Sequence, residues 1–291
     1  MIAAIFPGQG SQAPGMGKDV FEASASAREV FEKVSNTLGI DVAKLCFESD
    51  EETLRATNNA QIALYTVGVA TYAASGIAAD VFAGHSIGEY AALVCSGSLS
   101  LEDGARLVKR RGELMASAGE LAAGTMAAVL GLEIPVIAET LEKVDGTVVV
   151  ANDNCPGQTV ISGEVDAVAA ATPLLLEAGA KRVLPLNVSG AFHSPLMTEP
   201  SRNMAEALSN AVFQPGKPVY ANVTTQPVKD PSAWRETLEQ QLRDQVRWTE
   251  SVRNMIADGV TEFIEFGPGE VLCGMLKRID KSVPGRRFSV N

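Results

Sequence analysis

The stretch 81–94, Val-Phe-Ala-Gly-His-Ser-Ile-Gly-Glu-Tyr-Ala-Ala-Leu-Val, restricts the fold more than any other part of the chain. It reads as a short apolar strand, a serine between two glycines, and an amphipathic helix, so the backbone must double back at Ser86. Gly84 and Gly88 lack the Cβ atoms that would clash in such a reversal. Gly84-x-Ser86-x-Gly88 in this context, a strand, a sharp turn and a helix, is the pattern of a nucleophile elbow. The N–H of Ile87, at the start of the helix, is free to meet an oxyanion formed at a carbonyl attacked by Ser86 Oγ.

Whole-chain properties narrow the class. With 291 residues, 46% of them hydrophobic and 20% charged, the chain can bury a large core and is neither disordered nor a coiled coil. A formal charge of −11 speaks against a nucleic-acid partner. No run is apolar for long enough to span a membrane, and 1–6 meets Pro7-Gly8 too early for a signal peptide, so a cytoplasmic protein is expected. Cys46, Cys95, Cys155 and Cys273 are far apart, and with His85 and His193 as the two histidines no metal site is expected; the cysteines read as buried free thiols.

In chain order, an apolar strand at 2–6 runs into Pro7-Gly8-Gln9-Gly10-Ser11-Gln12, a loop whose Gln9 amide is placed to give the second oxyanion donor. Helical spacing runs through 19–38 and 62–72, and Ser100-Leu101-Glu102-Asp103 opens a further helix as a capping box. That helix carries Lys109, Arg110 and Arg111. Three successive cations point about 100° apart, so at least one turns inward, either to an internal salt bridge or to an anionic ligand. Residues 125–189 show the order β-α-β-β-α-β of a ferredoxin-like unit inserted into a larger domain made of 1–124 and 190–291. Strands are expected at 219–223 and, last in the chain, at 262–266, the latter followed by Gly267-Pro268-Gly269 and a helix. A serine nucleophile at neutral pH needs a base, and His85 adjoins Ser86 on the elbow where side chains diverge, so His193 is the base by exclusion.

Four motifs in one order, Pro7-Gly8-Gln9-Gly10-Ser11-Gln12, Gly84-His85-Ser86-Ile87-Gly88-Glu89-Tyr90, Gly190-Ala191-Phe192-His193-Ser194-Pro195-Leu196-Met197 and Glu265-Phe266-Gly267-Pro268-Gly269, resemble those of malonyl-CoA:acyl carrier protein transacylases, almost end to end. The resemblance implies an α/β-hydrolase-like domain with the ferredoxin-like insertion. It also implies malonyl transfer from coenzyme A to the phosphopantetheine thiol of an acyl carrier protein in fatty acid synthesis, with no cofactor of the enzyme's own and a monomeric protein.

Carried over by that resemblance, Ser86 is the nucleophile, His193 the base, Gln9 and Ile87 the backbone oxyanion donors, and Arg111 the partner of the malonate carboxylate. Gln241 offers a main-chain carbonyl to the histidine, Asn154 and Gln61 lie at the substrate site, and Phe192 excludes an α-methyl group. Gln245 stands where relatives commonly have proline, so the turn holding Gln241 lacks that restraint. An anionic carrier protein would need a local cationic dock, for which Lys181, Arg182, Lys277 and Arg278 are the candidates. A polyketide acyltransferase would share all four motifs. A serine esterase or thioesterase would not need Arg111, and a non-catalytic carrier-binding protein would need none of these groups.

Overall fold

In the computed structural model, which describes residues 1–121 and 123–290, the strands are β1 (Ile2–Phe6), β2 (Val81–Gly84), β3 (Gly124–Leu130), β4 (Val148–Cys155), β5 (Gln158–Glu164), β6 (Arg182–Pro185), β7 (Val219–Tyr220), β8 (Val246–Arg247), β9 (Glu262–Glu265) and β10 (Gly285–Arg287). They form two sheets. The first has the order β10-β9-β1-β2-β7 and every pair in it is parallel. A central parallel strand is covered on both faces, and β1 shows this residue by residue. Ala4 and Phe6 pack with Phe82 and Ile264 against the helices Ala25–Leu38 and Thr57–Ser75. Ala3 and Ile5 face the other way, with Trp248, Met255, Phe263 and Leu272.

The helical run at 19–38 is broken, because Ser24 is extended (φ −128°, ψ 127°) and its side chain accepts the N–H of Ala27, capping Ala25–Leu38 as a new helix after Lys18–Ala23. The helix starts where the capping box was expected, with the Asp103 N–H donating to Ser100 Oγ at 3.0 Å, but the Asp103 carboxylate accepts from Arg106 at 2.9 Å and from the Val212 N–H at 3.4 Å instead of returning to Ser100. At 219–223 the strand stops at Tyr220, since Thr225 N–H donates to Ala221 O at 2.8 Å and turns the chain away. Nor is 262–266 the last strand: β10 pairs with β9. Its residues, Gly285-Arg286-Arg287, lack the apolar pattern that marks a strand.

The second sheet has the order β6-β3-β5-β4-β8. Its β3, β4, β5 and β6 pair antiparallel, with the helix Ile134–Leu141 between β3 and β4 and Val165–Glu177 between β5 and β6. A fifth strand, β8, joins β4 in parallel from a distant part of the chain. Two residues are too short for any sequence pattern to announce them. Between the two sheets lies a cleft of about 590 Å³, lined by Gly8 and Gln9 on one side and by Met126, Asn154 and Val160 on the other, with Ser86 and His193 between. The four cysteines are free; Cys46, Cys155 and Cys273 are buried, whereas Cys95 is half-buried.

Candidate active site

β2 delivers Ser86. At Gly84 a Cβ would lie 1.9 Å from the carbonyl carbon of Gly88, and at Gly88 one would lie 2.2 Å from Phe6 O, so neither position admits a side chain. Ser86 itself has φ +52°, a left-handed conformation that costs a non-glycine residue about 1–3 kcal/mol and is kept only where its surroundings impose it. The result is a buried hydroxyl whose Oγ lies 2.8 Å from His193 Nε2 and 3.1 Å from Arg111 Nη2.

His193 is also left-handed, at φ +56°, and its backbone N–H donates to Leu242 O at 3.1 Å. The imidazole Nδ1 faces two carbonyl oxygens, Gln241 O at 2.8 Å and Asp244 O at 3.2 Å. Two acceptors at Nδ1 require the proton there, which leaves Nε2 as the acceptor for the Ser86 hydroxyl. Gln245 does not undo this arrangement: the turn is closed by Arg243 N–H and Asp244 N–H, which donate to Gln240 O at 3.0 and 2.9 Å.

Of the three cations, Lys109 is half-buried, Arg110 is exposed and Arg111 is fully buried. Arg111 Nη1 donates to Gln61 Oε1 at 2.8 Å, Nη2 donates to Gln241 Oε1 and to Ser86 Oγ at 3.1 Å each, and the guanidinium lies 5.7 Å from the Tyr90 ring centroid. No carboxylate is within ion-pair distance of it among the described residues, and its Nε has no hydrogen-bond partner there. The internal salt bridge left open by the sequence is therefore not what holds this residue. A buried cation caged by neutral amides has strong electrostatic affinity for an anion brought to the nucleophile.

Gln61 differs from the expected lining residue. The helix Thr57–Ser75 is buried along almost its whole length, so Gln61 is fully enclosed and supports Arg111 instead of facing the cleft. Asn154 does line the cleft, and its Oδ1 lies 2.8 Å from His85 Nε2, which together with the edge contact to Trp248 turns His85 away from Ser86 Oγ. Phe192 is buried among Met115, Met126 and Val160 at the cleft wall. The amide N–H groups of Gln9 and Ile87 find no hydrogen-bond acceptor among the described residues. Glu89, in the first turn of the helix Gly88–Cys95, has no role assigned from the sequence, yet it is fully buried; it accepts from the Gln241 side chain and, at 2.9 Å, from the Asn222 N–H. Among the described residues no cluster of His, Cys, Asp and Glu could hold a metal ion, and no helix is long and apolar enough to cross a membrane.

Burial and the Arg111 cation hold His193 at about 3, below its unfolded value of 6.5, against the raising effect of the two carbonyls. Burial pushes Glu89 the other way, to about 8 from an unfolded value of 4.5. The depressed histidine withdraws stability as pH falls from 6.5 toward 3, and the raised carboxyl withdraws it as pH rises from 4.5 toward 8. Thermal unfolding midpoints are thus expected to be highest between about pH 4.5 and 6.5 and to fall on both sides. In Glu89→Gln the alkaline fall should flatten; an equally steep fall in that variant would contradict the assignment.

Along almost its whole length the chain is similar to known proteins. A family model described as acyl transferase domain matches residues 4–286. The malonyl CoA-acyl carrier protein transacylase of Bacillus subtilis (strain 168) is 43% identical over 287 residues, covering 96% of this chain and 90% of that protein. The chain belongs to the malonyl CoA-acyl carrier protein transacylase family. Solved structures of the family agree with the fold. An acyl carrier protein S-malonyltransferase from Vibrio cholerae O1 biovar eltor superposes with a TM-score of 0.96 at 40% identity, over 100% of this chain and 97% of that one. A malonyl-transacylase solved in complex with a holo type II PKS acyl-carrier protein gives a TM-score of 0.96 at 37% identity, over 100% and 96% of the two chains.

Proposed function

We propose that this protein transfers a malonyl group from coenzyme A to the phosphopantetheine thiol of an acyl carrier protein, through a malonyl ester on Ser86, in fatty acid synthesis. The observation that carries the reading is Arg111, a buried cation with no acidic partner among the described residues, held 3.1 Å from the nucleophilic oxygen. It is the group an acyl chain ending in a carboxylate needs and a plain ester does not.

In the first half-reaction the malonyl carboxylate binds Arg111, displacing its bond to Ser86 Oγ. His193 Nε2 takes the Ser86 proton as Oγ attacks the thioester carbonyl, and the oxyanion accepts from the free N–H groups of Gln9 and Ile87. Collapse expels the coenzyme A thiolate, which receives the proton from His193. In the second half the carrier thiol gives its proton to His193 and attacks the ester, and collapse returns the proton to Ser86. A carboxylate on Arg111 also offsets the charge that holds His193 low, so the base strengthens once substrate is in place. Coenzyme A and phosphopantetheine enter as parts of the substrates, and the chemistry calls for no cofactor on this chain.

We read the first sheet as an α/β-hydrolase-like domain, 1–124 and 190–291, and the second as a ferredoxin-like insertion, 125–189; the β-α-β-β-α-β order of β3 to β6 supports this, with β8 added from outside it. The reading places the enzyme in the cytoplasm. For the carrier protein, Lys181, Arg182 and Lys277 are exposed, while Arg278 is tied to Pro156 O at 2.6 Å and Gln158 Oε1 at 3.1 Å. A type II polyketide carrier is the second acceptor to consider, because the relative solved with such a carrier superposes over the whole chain.

Transfer from malonyl-CoA to a holo carrier protein, with the apo carrier as control, tests the proposal: product with holo alone supports it, and hydrolysis to free malonate with neither carrier malonylated overturns it. We read Phe192, buried at the cleft wall, as the side chain that crowds the acyl α-carbon, so methylmalonyl-CoA is expected to give a kcat/KM roughly 10- to 200-fold below that of malonyl-CoA. Equal turnover of the two would remove Phe192 as the determinant.

A further inference from the structure

β2 and β7 pair in parallel only at Phe82↔Val219 and Ala83↔Tyr220, after which the chain beyond β7 turns away. Had the ladder continued, a residue opposite His85 would donate its N–H to Gly84 O and accept the N–H of Ser86. Both bonds are present, made by a side chain. Asn222 Nδ2 donates to Gly84 O at 2.7 Å, and Asn222 Oδ1 accepts the Ser86 N–H at 2.8 Å. Asn222 is fully buried, and its own N–H is anchored on Glu89 Oε1 at 2.9 Å. The other polar group of the strained serine, its carbonyl, accepts from Gln241 Nε2 at 2.9 Å and from the Glu89 N–H at 3.1 Å.

We propose that Asn222 is a positioning residue for acyl transfer: its carboxamide replaces the missing strand residue opposite His85 and holds Ser86 in the left-handed conformation that aims Oγ at His193. The inference rests on Ser86 being the nucleophile of the reaction proposed above. Left-handed serine is retained only where neighbouring groups over-determine it, and Asn222 supplies the partner for the Ser86 N–H. Without that partner a buried N–H and a buried carbonyl lose their bonds, and Ser86 relaxes toward negative φ, carrying Oγ away from Nε2. Arg111 is gripped by Gln61 and Gln241, neither through the Asn222 side chain, so recognition of the carboxylate is preserved.

The test compares the wild-type enzyme with Asn222→Ala and Asn222→Asp, each checked for folding by circular dichroism. Single-turnover acylation by malonyl-CoA is measured beside labelling by a fluorophosphonate, which reports Ser86 nucleophilicity whatever acyl group the enzyme prefers. In Asn222→Ala both rates should fall roughly 10- to 100-fold, with KM for malonyl-CoA within about twofold of wild type. Asn222→Asp keeps the acceptor for Ser86 N–H and, when protonated, can still donate to Gly84 O. Its deficit should therefore be small at low pH and grow as pH rises, and this comparison decides the matter if Asn222→Ala does not fold. Rates within twofold of wild type in a folded Asn222→Ala, or a lower unfolding temperature with unchanged labelling, would overturn the proposal. Wild-type enzyme labelled by the fluorophosphonate but not by malonyl-CoA would refute the malonyl reading alone, leaving the labelling comparison to judge Asn222.

Discussion

Ser86→Ala is expected to lower malonyl transfer by roughly 10⁶-fold, and His193→Ala by a similar factor, because groups that act as a unit lose most of their effect when either is removed. The structure ties them into such a unit. Oγ and Nε2 are 2.8 Å apart, and Nδ1 is fixed by the Gln241 and Asp244 carbonyls, so the proton has one route and the ring one useful orientation. What remains in the variants comes from binding and from the amides of Gln9 and Ile87, which neither substitution removes. Steady-state transfer to a holo carrier protein measures both. A His193→Ala enzyme that retained a tenth of the wild-type rate would mean another group takes the proton.

Arg111→Ala carries the second large effect. Truncating one partner of a buried, hydrogen-bonded charge pair costs about 2–5 kcal/mol, so kcat/KM for malonyl-CoA should drop roughly 30- to 5,000-fold. Acetyl-CoA has no carboxylate to lose and should be much less affected, so discrimination between the two thioesters collapses. Removing the cation also removes one of the influences that, after burial, depress His193, which favours the base whatever the acyl group. Arg111→Lys should recover little, since a single ammonium cannot bond Gln61, Gln241 and a carboxylate in the same plane. Comparing kcat/KM for the two thioesters checks this. Equal losses for malonyl-CoA and acetyl-CoA would show that Arg111 supports the fold and does not read the acyl group.

The elbow was legible in the sequence because its physical demands are local: two positions admit no Cβ, and a serine sits between them. His193 followed from scarcity, since the chain has only two histidines and one of them is bound to the elbow itself. For Arg111 the geometry of a helix required an inward cation among three neighbours without saying which one, and the family motifs supplied the choice. Gln241 marks the boundary of what composition can reveal. Its contact with the histidine is a backbone carbonyl, which every residue type possesses, so the role belongs to the turn and not to the glutamine. The side chain does separate work, with Oε1 on Arg111 and Nε2 on Ser86 O and Glu89. Those contacts, like those of Gln61, Glu89 and Asn222, join residues far apart in sequence and leave no periodic trace. The same holds for β8 and β10, strands of two and three residues whose places are set by the strands they join.

Intact mass of the protein after brief exposure to malonyl-CoA, followed by peptide mapping, tests the central claim most directly. The account predicts one malonyl group per chain, carried on Ser86, absent in Ser86→Ala and removed when a holo carrier protein is added. An unmodified wild-type chain that still transfers malonate, or an adduct on any other residue, would contradict it.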